Sequence, residues 1–371
     1  MIDASLHKRV TWLELFYDLI YVIAISSATH VLSHPHHGEL EAELYFKYIL
    51  IFVPLWWSWT GYTMYVNRYG EDQTGQRLES ILKIFFVMVM AASINVDFDS
   101  YYLPFMIGYV GSRLLTVLMY VRMWRKHEGH HSSVAGFLAA SFTGGAIISL
   151  SSVFFTDELR YILLYGGIVF DIVLSIIGRP QLRKFPVLYS HLLERFGLVT
   201  LIVLGEFMIG LVATLKSLDY SPTIVGLAVI GFILTIAIWW HYFESSERVG
   251  GKRRTAVGHS IIYGHLLVLL SLGLLANVVR FGIDQQLHRE AYELLAAVGI
   301  ALYVLATAYL FRSRKADWPM IGRSALLIAA YYLLLQWLPS VTAIYAATAA
   351  FLVLYATLGL LSRKVGQGRS V

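Results

Sequence analysis

The chain has no cysteine and little charge, and it lacks the phosphate-binding and nucleophile motifs of common enzyme folds. Without cysteine there is no disulfide, no thiol nucleophile and no thiolate metal site, although this says little about compartment. Only 14% of the 371 residues are charged against 57% hydrophobic, and the mean hydropathy is +0.64. A soluble globule of that composition would carry far too much apolar surface, so the chain reads as a membrane protein. No G-x-S-x-G elbow, Walker loop or dinucleotide fingerprint stands in the strand and helix context it needs. ATP-driven pumping would therefore require another subunit, and the chain reads as a non-enzyme without a cofactor. No loop is long enough to form a soluble domain.

What is present is apolar sequence in long runs. Crossing about 30 Å of hydrocarbon at about 1.5 Å per residue takes some 20 residues. Stretches of that kind fall at 11–32, 44–66, 78–97, 101–122, 134–155 and 159–178, then at 187–215, 222–243, 258–281, 290–311, 323–338 and 340–361. The expected fold is all-α, a polytopic bundle of about twelve transmembrane helices.

The two halves echo each other. TWLELFYDLIYVIAISSA carries Glu14 and Phe16, and LLERFGLVTLIVLGEFMIGLV carries Glu194 and Phe196; Trp56 and Trp57 in the second run match Trp239 and Trp240 in the eighth. The fourth run ends in Tyr120, Val121 and Arg122, the tenth in Tyr309, Leu310, Phe311 and Arg312. This predicts two six-helix repeats, residues 1–185 and 186–371, in parallel orientation because each holds an even number of spans.

Basic residues set the expected orientation. With both termini cytoplasmic, 21 of the 29 lysines and arginines fall on the inner side and five, Lys47, Arg160, Lys216, Arg280 and Arg289, on the outer. Lys83, Arg113 and Arg195 are left within the membrane. The net charge of +5 and pI of 9.1 are thus topology signals rather than a nucleic-acid footprint. The expected location is the cell inner or plasma membrane, multi-pass. The first run holds Glu14 and Asp18 and lacks a small-residue cleavage site, so it is expected to stay as the first helix rather than be removed as a signal peptide.

WLELFYDLIYVIAI, HLLERFGLVTLIVLGE and YGHLLVLLSLGLLA, in that order, closely resemble the bacterial low temperature requirement A (LtrA) family over nearly the whole chain. That resemblance implies a polytopic membrane protein linked by name to growth in the cold, without an established substrate. A looser likeness exists to lysosomal potassium and proton channels built from two six-helix repeats whose first helices carry Arg and then Phe-Ser-Asp. Here Phe16-Tyr17-Asp18 follows that pattern in part, whereas Phe196-Gly197-Leu198 departs from it.

Glu14, Tyr17, Asp18 and Tyr21 fall at i, i+3, i+4 and i+7, which puts two carboxylates and two phenols on one helical face. A carboxylate in the bilayer costs roughly 2.5–3.5 kcal/mol on insertion scales, so that face is expected to turn away from lipid. His191, Arg195 and Glu206 form a comparable stripe in the seventh run. Arg113 and Asp171, each about twelve residues into its span, are expected partners. Glu194 and Arg195 could instead pair locally at the start of their helix. His265, with His241 and Glu244, joins the set near the inner interface.

Each such group could be a clamp between helices. Together, however, the acids exceed Lys83, Arg113 and Arg195 by six to three, so some carboxylates are expected to hold protons, cations or water. The tryptophan runs suit a membrane-interface belt, or Trp57, Tyr62, Trp240 and His241 could line a substrate path. His127-Glu128-Gly129-His130-His131 matches H-E-x-x-H, but a glycine-broken loop cannot hold both histidines on one helical face; Ser132 and Ser133 look like the N-cap of the helix that follows. His34, His36 and His37 read as ordinary loop composition, so no metal is expected.

The functional expectation is a proton- or cation-coupled secondary transporter, with Gly197, Gly205 and Gly210 available for close packing or local unwinding. A passive cation or proton channel and a non-transporting scaffold in cold adaptation are the alternatives. The expected partners are the lipid bilayer and a small ion or solute, with no nucleic acid and with a homodimer left open.

Overall fold

A computed structural model of the chain describes residues 8–71, 73–95, 97–217, 221–250, 257–312 and 318–367. Among these there is no strand, only one isolated bridge between His36 and Glu39. The helices are α1 (Trp12–His30), α2 (Ala42–Tyr69), α3 (Thr74–Ala92), α4 (Tyr102–Lys126), α5 (Gly129–Ser151), α6 (Leu159–Ile177), α7 (Arg179–Leu182), α8 (Tyr189–Ser217), α9 (Pro222–Gly250), α10 (His259–Asp284), α11 (Arg289–Leu310), α12 (Trp318–Leu335) and α13 (Val341–Gln367). Of these thirteen, α7 is a four-residue turn. Among the described residues nine helices, namely α1, α4, α5, α6, α8, α9, α10, α11 and α13, are long and apolar enough to cross a membrane.

The nine fall short of the twelve spans expected from sequence. α3 carries Arg77, Glu79 and Lys83 within its 19 residues, α2 is not among the nine, and the described apolar part of α12, Gly322–Leu335, is short. The run expected at 78–97 also ends early, because Asn95 Oδ1 accepts from the Asp97 amide at 3.1 Å and Asp97 Oδ2 from the Ser100 hydroxyl at 2.6 Å. Asn and Asp bonding to nearby backbone and side chains favour a turn over another helical residue. α5 begins at Gly129 with Glu128 as its N-cap, three residues before Ser132. The Ser132 hydroxyl instead donates to the Trp124 carbonyl at 2.8 Å.

Apolar and polar side chains are distributed inside out relative to a water-soluble protein. Trp12, Leu326, Ile162 and Ile177 are exposed, whereas Glu14, Asp18, Lys83, Arg113, Asp171 and Arg195 are buried. Lipid is the medium in which that arrangement is favourable. The protein is a multi-pass, all-helical membrane protein.

The chain forms two compact units that interleave in sequence. The first comprises Met1–Ala28, Ile49–Phe196 and Arg254–Ile262; the second comprises Thr29–Tyr48, Gly197–Arg253 and Tyr263–Val371. In the first unit α3, α4, α5 and α6 pack in chain order. Small residues bring α5 against α6: a Cβ on Gly145 would meet the Gly167 carbonyl oxygen at 2.7 Å and the Asp171 carboxylate closer still. In the second unit α9 packs on α13, and α11 on α12 and α13.

Candidate functional site

The polar stripe of α1 turns inward as expected: Glu14, Tyr17, Asp18 and Tyr21 are all buried, while Phe16, Leu19 and Ile23 are exposed. The helix starts with a reciprocal cap. The Thr11 amide and hydroxyl donate to Glu14 Oε1 at 3.2 and 3.1 Å, and the Glu14 amide donates to Thr11 Oγ1 at 3.3 Å. That capping box is the T-x-x-E of Thr11–Glu14, a sequence signal that fixes one Glu14 oxygen and leaves the other for the interior.

The other oxygen, Glu14 Oε2, meets α8. Arg195 Nη1 donates to it at 2.9 Å, Arg195 Nη2 donates to Asp18 Oδ1 at 2.7 Å, and the guanidinium lies over the Trp59 ring at 5.6 Å. Trp59 Nε1 also donates to Asp18 Oδ1, at 2.8 Å. Arg195 thus bridges both α1 carboxylates instead of pairing with its neighbour Glu194, which is exposed. Successive residues point about 100° apart on a helix, so the inward turn of Arg195 carries Glu194 away.

His191 Nε2 stands 3.1 Å from the same Glu14 Oε2. Its tautomer follows from Asn67, whose Oδ1 accepts from the Leu188 amide at 2.9 Å and whose Nδ2 donates to the Leu188 carbonyl at 2.9 Å. With the amide oriented in this way, Asn67 Nδ2 also faces His191 Nδ1 at 3.1 Å as a donor, so Nδ1 carries the lone pair and Nε2 the proton. Two carboxyl groups then share one guanidinium, while His191 Nε2, although 3.1 Å from Glu14 Oε2, makes no hydrogen bond among the described residues. Asp18 Oδ2 is buried and without a hydrogen-bond partner among the described residues.

A cavity of about 40 Å³ opens beside this cluster, with Lys8, Thr11, Glu14, Tyr62 and Ser80 in its wall. At roughly 10–15 Å³ per water-sized probe it admits about three waters. Lys8 Nζ donates to the Gly70 carbonyl at 2.8 Å and to the Val66 carbonyl at the end of α2. Burial lowers the Lys8 pKa, with Glu14 acting in the opposite sense.

Elsewhere in the first unit Arg113 and Asp171 form the expected ion pair, each 1% exposed. Trp57 Nε1 donates to Asp171 Oδ2 at 3.0 Å, and the Arg113 guanidinium lies over Phe142 at 4.4 Å. Trp56, Trp57 and Trp59 are buried, not an interface belt, whereas Trp239 and Trp240 are exposed. Lys83, which sequence counting treated as a neutralising base, has no carboxylate partner among the described residues; its ammonium nitrogen meets Ser112 O, Ser112 Oγ and Thr116 Oγ1 at 2.8 Å each.

Glu206 and His265 belong to the second unit. Glu206 is half-buried, and the buried His265 Nε2 lies 2.7 Å from the Tyr242 hydroxyl. His241 Nδ1 lies 3.0 Å from the Tyr303 hydroxyl, which donates to the Ile238 carbonyl at 3.2 Å. α8 runs unbroken past Gly197, Gly205 and Gly210, and a Cβ at either of the last two would meet open space, so these two glycines do not mark a close packing contact there. His127 and Glu128 lie in extended backbone between α4 and α5, which separates the two histidines of the H-E-x-x-H match by a helix break. His36 and His37 lie in a tight turn, with His37 and Gly38 at positive φ. Lys252, Arg253, Arg254, Arg314, Lys315 and Arg369, counted toward the inner side, lie outside the described residues.

Residues 9–358 match the family model described as bacterial low temperature requirement A protein (LtrA). The chain belongs to the LtrA family. The match takes in every residue of the buried cluster on α1 and α8 and both members of the Arg113–Asp171 pair. This LtrA chain is also 24% identical over 350 residues to the uncharacterized protein RA0937 of Rhizobium meliloti (strain 1021), covering 88% of this chain and 83% of that one.

Proposed function

We propose that this LtrA protein is a proton- or cation-coupled secondary transporter whose coupling site is the Glu14–Asp18–Arg195–His191 cluster. The observation that carries this reading is a buried excess of carboxyl groups over cations, with Asp18 Oδ2 left unpartnered. An acid in that position gains a proton or a cation more readily than it keeps a bare charge in low dielectric. Arg195 contacts both carboxylates, so loading either of them weakens a contact that joins α1 to α8. That is the kind of coupling between occupancy and helix position that alternating access needs.

The two repeats at 1–185 and 186–371, the cytoplasmic termini and a role without catalysis belong to the same proposal. The tie that Arg195 makes between both α1 carboxylates and α8 ranks the transporter above the passive channel. In proteoliposomes a transporter gives flux that saturates with ion concentration and is driven by a counter-gradient. Unitary current steps with no saturation would replace this reading by the channel.

A further inference from the structure

Lys83 is the least conventional charged group of the first unit. It is 0% exposed, and its three contacts are to neutral oxygens. The titratable and charged groups that face it are Arg113 on α4, a cation that disfavours a second one, and Tyr62 on α2, whose ring centroid is 5.7 Å from Nζ. An unpaired ammonium in such a place is costly, and lysine can shed its proton where arginine cannot.

The hydrogen bonds allow both states. The Thr116 hydroxyl donates to Ser112 O at 3.0 Å, so its own oxygen is free to accept from Lys83. Ser112 O can only accept. Ser112 Oγ is the single reversible contact: it lies 2.8 Å from Lys83 Nζ and 2.7 Å from Ser58 Oγ, and either serine can be the donor. The Tyr17 hydroxyl donates to that of Tyr21 at 3.3 Å. The Tyr17 ring packs on Tyr62 at 4.1 Å, and Tyr62 lines the cavity that also reaches Glu14. Two hydroxyls in series, Ser112 and Ser58, therefore stand at Lys83.

We propose that the coupling ion is a proton and that Lys83 is an intramembrane proton-holding site, loaded through the Ser112–Ser58 hydroxyl pair. This rests on the transporter reading above and names its ion. In the neutral state Lys83 donates twice, to Ser112 O and Thr116 Oγ1, and its lone pair accepts from Ser112 Oγ. Loading breaks the Ser112 O–H bond and forms the third N–H bond. Ser112 regains a proton from Ser58 along their 2.7 Å contact, and Ser58 takes up the transported proton in its place. Each step exchanges one O–H or N–H bond for another with no change in oxidation state, and no heavy atom has to move.

The test is proton flux, read with an entrapped pH dye, in proteoliposomes holding full-length wild type, Lys83→Met, Lys83→Arg or Ser112→Ala. Lys83→Met is expected to fold at least as well as wild type, because it removes a buried amine that lacks a counter-ion. Expected are a tenfold or greater loss of proton flux in Lys83→Met and Lys83→Arg, and a several-fold loss in Ser112→Ala, which keeps the amine but cuts the relay. Wild-type flux of protons with unchanged flux in folded Lys83→Met overturns the Lys83 assignment and leaves the transporter reading standing. If Lys83→Met fails to fold, wild-type proton flux in Ser112→Ala overturns the assignment. Wild-type transport of sodium or potassium without protons overturns the choice of ion. Wild-type vesicles silent to every ion overturn the underlying transporter reading itself.

Discussion

Replacing Arg113 by methionine leaves Asp171 buried with one remaining donor, Trp57 Nε1 at 3.0 Å. Removing one partner of a buried ion pair costs about 3–5 kcal/mol, because the remaining charge is uncompensated. An ordinary polar contact between membrane helices is worth only about 0.6 kcal/mol on average and about 1.7 at most, so the lost counter-charge dominates. Methionine keeps most of the length of the arginine stem, so the cost is not chiefly a cavity. Adding Asp171→Asn removes the orphaned charge while the amide oxygen still accepts from Trp57. The double variant is therefore expected to recover about 2–3 kcal/mol relative to additivity. Equilibrium unfolding of wild type, both single variants and the double in mixed micelles measures this cycle. Additive losses, with a double variant as unstable as the sum of the singles, would refute the pair as a charge-compensated unit.

Glu194→Gln is expected to leave stability within about 0.5 kcal/mol of wild type and transport unchanged, because Glu194 is exposed; a loss of flux in a folded Glu194→Gln protein would show that α8 uses this face. Gly145→Ala should lower the unfolding midpoint, since its Cβ meets the Gly167 carbonyl and Asp171, whereas Gly205→Ala, facing open space, should not; equal midpoints would deny the close α5–α6 contact. Burial holds Lys8 below the ordinary value of 10.5, so the folded chain sheds this proton before the unfolded one. Stability should then rise as pH climbs from the lowered value toward 10.5, and Lys8→Met should lose that slope in pH-dependent unfolding.

The sequence made some of this legible and hid the rest for identifiable reasons. The α1 stripe was readable because four polar residues at i, i+3, i+4 and i+7 share a face whatever the tertiary structure. Arg113 and Asp171 could be matched by depth alone, since each lies about twelve residues into its span. Arg195 was misleading because an acid adjacent in sequence looks like a partner, although the helix turns it about 100° away. Trp57 resembled an interface anchor, and only the packing reveals that its indole N–H donates to Asp171, as that of Trp59 does to Asp18. The Thr11–Glu14 cap was visible in sequence but fell in a segment read for hydropathy. Lys83 was counted as a base available for neutralisation, whereas its surroundings of serine and threonine arise from α4, a contact that no local pattern encodes. Composition likewise made α2 and α3 plausible spans, yet neither is among the nine helices of the described residues that are apolar enough to cross by themselves.

The most direct test of the carboxylate cluster as a coupling site is ion flux in liposomes reconstituted with purified wild type, Glu14→Gln and Asp18→Asn, driven by imposed gradients of protons, sodium and potassium. Flux of one ion in wild type, lost in both variants while they remain folded, is the expected result. Equal flux in wild type and in either folded variant, or tight vesicles silent to all three ions with wild type, would contradict it.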